Sequence, residues 1–413
     1  MKSIKITDLR TAVISRAPMT CPIIRMDTNI DGLYGLGEVR DGASKTYALM
    51  LKSRLIGENP LDVDRLFRKI KQFGHHGRQA GGVCAVEMAL WDIAGKVYNA
   101  PVYQLLGGKF RDSIRIYADT GLGASPQETA ARLTTRMEQG VTFLKLDFMR
   151  FDRTAGRLQT LFGPLLPPPG MTIEKLHSTP HPFTGIELSA DQIRRAEEYI
   201  AEVRRLIGVE IPLAADHFGH IGVKSCIRLA EALASHGLAW LEDLVPWQYT
   251  EHWKRITQAS PLPTCTGEDI YLKEGFEELC RANAVDIIHP DLATSGGILE
   301  TKKIADIAQD HGIPMAMHFA GTPVSCMANV HCAAACENLL ALEHHSFDID
   351  WWDSLVDGPS KPIVSNGFIA VPETPGLGIT LNEEAARAHV AGGEYFEPTP
   401  QWDAERSHDR LWS

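Results

Sequence analysis

Extended and polar segments alternate through the first part of the chain. Residues 3–15 read as a strand, and residues 23–39 as a strand, a turn and a strand. Residues 45–56 and 61–72 read as helices, with Pro60 punctuating between them. In GGVCAVEMALWDIAGKVYNAPVYQLLGG the apolar Val86, Leu90, Ile93 and Ala94 recur at helical spacing until Pro101 stops the pattern. A meander followed by helices predicts an N-terminal α+β capping domain over 1–113.

From residue 114 the pattern becomes strand–helix alternation. Candidate strands are IRIYAD (114–119), TFLKLDF (142–148), IPLAAD (211–216), LAWLED (238–243), PTCTGED (263–269), VDIIHPD (285–291), PMAMHF (314–319) and LLALEHH (339–345). Amphipathic stretches such as ILETKKIADIAQDHG lie between most of them. Eight such units predict an α/β fold, a (β/α) TIM-type barrel over 114–385. A Pro-rich insertion over about 150–188 interrupts the second strand–helix connection, at the barrel face where specificity loops belong. The polar tail, 386–413, is expected to return to the capping domain. The run GLYGLGEV superficially matches a dinucleotide fingerprint, but no helix follows, so it reads as a hairpin turn before Glu38.

Bulk properties change this picture little. A chain of 413 residues suits a barrel of roughly 250 residues plus a smaller domain. The net charge of −11 argues against a general nucleic-acid binder, though not against an anionic substrate at a metal. There is neither a signal-peptide core nor an apolar run long enough to span a membrane. Eight scattered cysteines without a CxxC pair read as buried thiols in a reducing, cytoplasmic compartment. Cys332 and Cys336 read as small residues packing one helix face.

The informative pattern is where acidic and imidazole groups fall. Asp216, Glu242 and Glu268 each close a candidate strand and are separated by 26 residues each, about one βα unit, which carries all three to the same barrel end. Converging carboxylates repel one another and are tolerated where a cation neutralises them. Helix capping explains one such residue but not three at matched positions. All-oxygen ligation suits a hard ion such as Mg2+. Asp291 and His318 close the next two strands, and a carboxylate holding an imidazole raises its basicity, which makes His318 a candidate general base.

These features together resemble the enolase superfamily, in its mandelate racemase-like branch. The resemblance rests on AVEMALWDIAGK followed by PVYQLLGG, the LED and GED motifs, PDLATSGGILETKKIA, the strand-end His318 and the late PETPGLGI. It implies metal-assisted removal of a proton α to a carboxylate, with Lys145 neutralising the substrate carboxylate and Glu343 sharing a hydrogen with one of its oxygens. Many relatives carry Lys-x-Lys on the second strand. Here Asp147 replaces the second lysine, which disfavours a two-base racemase and favours a one-base dehydratase of a polyhydroxy acid, an aldonate or aldarate. Epimerisation or cycloisomerisation of a sugar-acid derivative is the alternative.

Similar sugar-acid dehydratases place an acid histidine two residues after the third-strand aspartate, where this chain has Phe218. His217 or His220 then protonates the departing hydroxyl, strand alternation favouring His220. By resemblance, Arg25, Tyr34, Arg40 and the loop around Asp41 cap the barrel mouth. His75, His76 and Arg78 form a second polar patch, which solvated surface explains equally. His344 and His345 adjoin Glu343 and are placed to touch substrate, and His177 and His181 lie in the insertion. Trp247, Trp351 and Trp352 wall a pocket or simply pack. The resemblance also implies a homo-oligomer, dimer to octamer.

Overall fold

The structure is a computed structural model that describes residues 4–152, 157–160, 187–216, 218 and 221–404. Its centre is eight parallel strands: Ser113–Thr120, Leu144–Asp147, Leu213–Asp216, Leu238–Glu242, Thr264–Thr266, Ile287–Ile288, Met315–Met317 and Leu339–His344. Each pairs with the next, and the eighth closes on the first through Leu342↔Ile116, Glu343↔Tyr117 and His344↔Ala118. This closed barrel is the expected one.

The barrel interior is filled by a few large rings set against small side chains. Tyr117, Phe143 and Trp240 pack with Ala214, Ala316 and Ala341, and the Tyr117 and Trp240 rings meet edge-on at 5.5 Å. Large against small at one level satisfies close packing inside a narrow barrel. The first strand is longer than its sequence pattern, and the other seven are shorter, at one or both ends. The 263–269 pattern contracts to Thr264–Thr266, because Gly267 adopts φ +148° and a Cβ there would lie 2.7 Å from the Phe276 ring.

Strands Ile6–Ile14, Cys21–Thr28 and Tyr34–Glu38 form an antiparallel sheet over the barrel mouth, and Val390–Tyr395 adds to its free edge beside the first strand. The long helix Ala80–Tyr98 lies against the third strand and ends at Asn99, in the left-handed region, just before Pro101. Here one expectation is corrected. Gly35 and Gly37 are strand residues, and the turn lies at 29–33. A Cβ at Gly35 or Gly37 would sit 2.1 or 2.0 Å from the carbonyl oxygens of Ala89 or Ala85, so the glycines serve close strand–helix approach.

All eight cysteines are free and buried. Among the described residues no helix is long and apolar enough to cross a membrane. His331, on the helix Pro323–Ala334, is fully buried, stacks on Tyr103, and is lowered by burial to about 4. Its ordinary value is 6.5, so between these values the unfolded chain binds a proton that the folded chain refuses. Stability from this group is therefore complete above 6.5 and is lost as pH falls towards 4, by up to about 3 kcal/mol. Melting temperatures across that window should fall less steeply for His331→Gln than for the parent protein. Equal slopes would show that His331 does not drive the loss.

Candidate active site

Asp216 and Glu242 end the third and fourth strands, and Glu268 lies just past the fifth. An oxygen from each lies within 4.8 Å of the other two. Lys145, on the second strand, reaches into the same space. Its Nζ is 2.8 Å from Asp216 Oδ2, 2.8 Å from Glu242 Oε1 and 3.0 Å from Glu343 Oε1. One ammonium does not balance this many buried carboxylates. The neighbouring Asp243 registers the excess: burial and the charges of Glu268, Asp216 and Glu242 push its pKa well above the carboxylate range. An all-carboxylate donor set with surplus negative charge fits a hard divalent cation.

Two other donor groupings share the cavity, Glu242 with Cys265 and His289, and His318 with Glu343 and His345. They suit a cation poorly. Burial keeps the Cys265 thiol protonated, His289 is engaged by the Tyr117 hydroxyl, and both His318 and His345 are paired with aspartates.

Asp291 and His318 follow the sixth and seventh strands and are joined by a parallel bridge. His318 Nδ1 lies 2.5 Å from Asp291 Oδ2, leaving Nε2 to face Glu268 Oε2 at 3.2 Å and Glu343 Oε2 at 3.7 Å. Burial alone would depress the ring. The charges of Glu268 and Glu343 and the bond from Asp291 outweigh it and push the pKa up to about 9.

Arg40 is buried behind this pair. Its Nη1 lies 3.1 Å from Asp291 Oδ2 and donates to the Glu268 carbonyl at 2.9 Å, while its Nε lies 2.8 Å from Asp41. Its Nη2 donates to Glu268 Oε1 at 3.4 Å, so one guanidinium from the N-terminal region holds both the imidazole's partner and a cage carboxylate.

Beneath the cage lies a layer that the sequence reading did not single out. Tyr117 donates to Glu343 Oε2 at 3.1 Å and meets His289, whose Nδ1 is 3.1 Å from Glu242 Oε1; Trp240 Nε1 donates to Glu242 Oε2 at 2.8 Å. These contacts fix the rotamers of Glu242 and Glu343. A signal existed, since strand alternation puts His289 on the same face as Asp291.

The remaining candidates separate into groups. Asp147 is level with Asp216 in the sheet and shares a strand face with Lys145. His345 faces Glu343, whereas His344 packs outward on Phe347 and Trp352, lowered by burial to about 3. Trp351 stacks on His389 at 3.7 Å, and buried Trp352 donates to the Gly321 carbonyl. Arg25 pairs with Asp27 and lies over the Tyr34 ring, at the end of the third strand remote from Glu38 and roughly 13 Å along it. The structure therefore does not bring Arg25 or Tyr34 to the cage.

His75, Arg78 and Trp247 line a cleft of about 580 Å³ that also touches Arg40 and Asp269. Phe218 is buried, its ring 4.6 Å from Phe148. His217, His220, His177 and His181 lie outside the described residues.

Comparison with known proteins agrees with this arrangement. The family model described as Enolase C-terminal domain-like matches residues 128–385, and that described as Mandelate racemase / muconate lactonizing enzyme, N-terminal domain, matches residues 2–107. The chain is 36% identical to D-xylonate dehydratase of Haloferax volcanii, over 95% of this chain and 91% of that one. It is 28% identical to the D-galactonate dehydratase family member RspA of Pantoea ananatis, over 99% of each. A crystal structure of a mandelate racemase/muconate lactonizing enzyme-like protein from Rubrobacter xylanophilus superposes with a TM-score of 0.84 at 31% identity, covering 96% of this chain and 100% of that one. With both domain patterns matched and a barrel mouth of this composition, the chain belongs to the mandelate racemase/muconate lactonizing enzyme family of the enolase superfamily.

Proposed function

We propose that the protein is a Mg2+-dependent dehydratase of a sugar acid, forming a 2-keto-3-deoxy acid. The observation that carries the reading is the Asp291-held His318, whose Nε2 faces the Lys145-centred carboxylate cage. The dehydratase names of the similar proteins support the same class.

A proton α to a carboxylate is very weakly acidic, so its removal needs the growing negative charge to be met as it forms. Asp216, Glu242 and Glu268 would hold the ion. When bound, it supplies positive charge beside the developing enediolate and offsets the field that favours the proton on His318. The chain's own residues do the rest. Lys145 neutralises one substrate carboxylate oxygen, and Glu343 approaches the other. His318 Nε2 takes the proton from C2, with Asp291 fixing the ring. With Asp147 in place of a second lysine, the second strand offers no second amine beside Lys145 to reprotonate from the opposite face, which favours loss of water over epimerisation.

The test is a panel of aldonates and aldarates, D-xylonate and D-galactonate among them, incubated with Mg2+ and read by 2-keto acid formation. Release from at least one member is expected. Deuterium exchange at C2 without loss of water would point instead to an isomerase, and an inert panel would overturn the reading.

A further inference from the structure

Between the first and eighth strands the barrel mouth holds a second carboxylate–imidazole pair. Asp119 lies one residue from the end of the first strand, and His345 follows the eighth. Strand alternation puts them in the layer above Tyr117 and Glu343, both facing inward. His345 Nδ1 lies 3.0 Å from Asp119 Oδ2, and Nε2 lies 3.3 Å from Glu343 Oε1. Among the described residues that Nε2 has no hydrogen-bond partner.

The arrangement mirrors the first pair about Glu343. His318 approaches Oε2 and His345 approaches Oε1, and the two ring centroids are 6.0 Å apart. Each imidazole is gripped at Nδ1 by an aspartate and offers Nε2 to the same small space. Such spacing lets one ring meet a group on C2 of a bound acid while the other meets a group on C3.

Their electrostatic settings differ. Arg40 shares the charge of Asp291 behind His318, while among the described residues no arginine pairs with Asp119. The groups facing His345 are Asp119, Glu343 and the His318 ring, with Lys145 level with Asp119 on the next strand. Burial works against charge on His345, but the two carboxylates prevail and lift its pKa well above the ordinary histidine value.

We propose that His345, held by Asp119, is the general acid that protonates the departing C3 hydroxyl; this rests on the dehydratase reading. Loss of hydroxide needs such an acid; His217 and His220, the candidates read from the sequence, lie outside the described residues, whereas His345 Nε2 faces Glu343 at the barrel mouth. The balance closes. The C2–H bond breaks and its proton goes to His318 Nε2. The C3–O bond then breaks, the oxygen taking the proton of His345 Nε2 and leaving as water, while the electron pair forms the C2–C3 double bond. On ketonisation C3 gains one proton and the enol oxygen releases one, so the two rings return to their starting states.

The test compares the parent protein with His345→Gln and Asp119→Asn in D2O with Mg2+. The probes are the panel member turned over fastest, D-xylonate first, and its 3-deoxy-3-fluoro analogue, whose fluoride leaves without an acid. For His345→Gln, water loss should fall at least about a hundredfold, while C2 deuterium exchange and fluoride release stay within about fivefold of the parent. Asp119→Asn should move the alkaline limb of the pH profile to lower pH. In 15N-histidine-labelled protein His345 should carry protons on both ring nitrogens at neutral pH. A His345→Gln protein that dehydrates within fivefold of the parent, or that loses exchange and fluoride release equally, overturns the assignment, as does a neutral His345 in the resting protein. A parent protein inert to the whole panel overturns the dehydratase reading itself, and is recognised because C2 exchange is then absent before any substitution is made.

Discussion

His318→Asn should reduce turnover of the sugar acid by about a hundred- to ten-thousandfold, the range general-base removal costs. Deuterium exchange at C2 should vanish with it. Asparagine retains an amide donor for Asp291 Oδ2, so the hydrogen bond that replaces the 2.5 Å contact keeps that carboxylate satisfied. What disappears is Nε2, the atom facing Glu268 and Glu343. Fold, melting temperature and metal affinity should therefore change little. The pattern is diagnostic against the acid proposed above, since His345→Gln preserves exchange and His318→Asn removes it. Exchange that survives in His318→Asn would place the base elsewhere.

The second large effect concerns the cage. Asp216→Asn should abolish the Mg2+ dependence of stability without weakening the metal-free protein. In the parent, saturating ion at about a hundred times its Kd contributes about 2.7 kcal/mol, and the melting temperature should rise by several degrees. In Asp216→Asn the rise should disappear along with turnover. The metal-free variant should melt at or above the metal-free parent, because one of several crowded charges has gone while Lys145 keeps Glu242 and Glu343. Sites built for a ligand commonly carry such strain when empty. A variant that still gained several degrees from Mg2+ would exclude Asp216 as a ligand.

Sequence made the barrel and the one-sided placement of Asp216, Glu242, Glu268, Asp291 and His318 legible, because strand ends and βα spacing are local properties. It overstated strand length, since Glu268, Asp291 and His318 sit just beyond the sheet, where the chain leaves the ladder to face the mouth. It did not reveal Asp119 beside His345, because those residues meet only when the eighth strand closes on the first. Arg40 was placed at the mouth by resemblance, yet its grip on Asp291 and Glu268 depends on docking between regions more than two hundred residues apart. Arg25 and Tyr34 show the converse. They belong to the right sheet but to its far end, a distinction that only register decides.

The seam between the N-terminal sheet and the barrel carries one further consequence. Glu38 is buried against the Thr322 and Ser325 amides, and Glu87 against those of Ile298 and Leu299, each at the start of a barrel helix, while Arg40 is buried against Asp291 and Glu268. Stripping a buried charge of its partner costs roughly 3–5 kcal/mol, against a whole-protein stability of roughly 5–15 kcal/mol. A glutamate can escape by taking up a proton, but an arginine cannot. Neither half therefore reaches a comfortable native state before the other arrives. The chain should refold in a single cooperative step, its halves should fail to persist when produced separately, and calorimetry should record one heat-absorption peak.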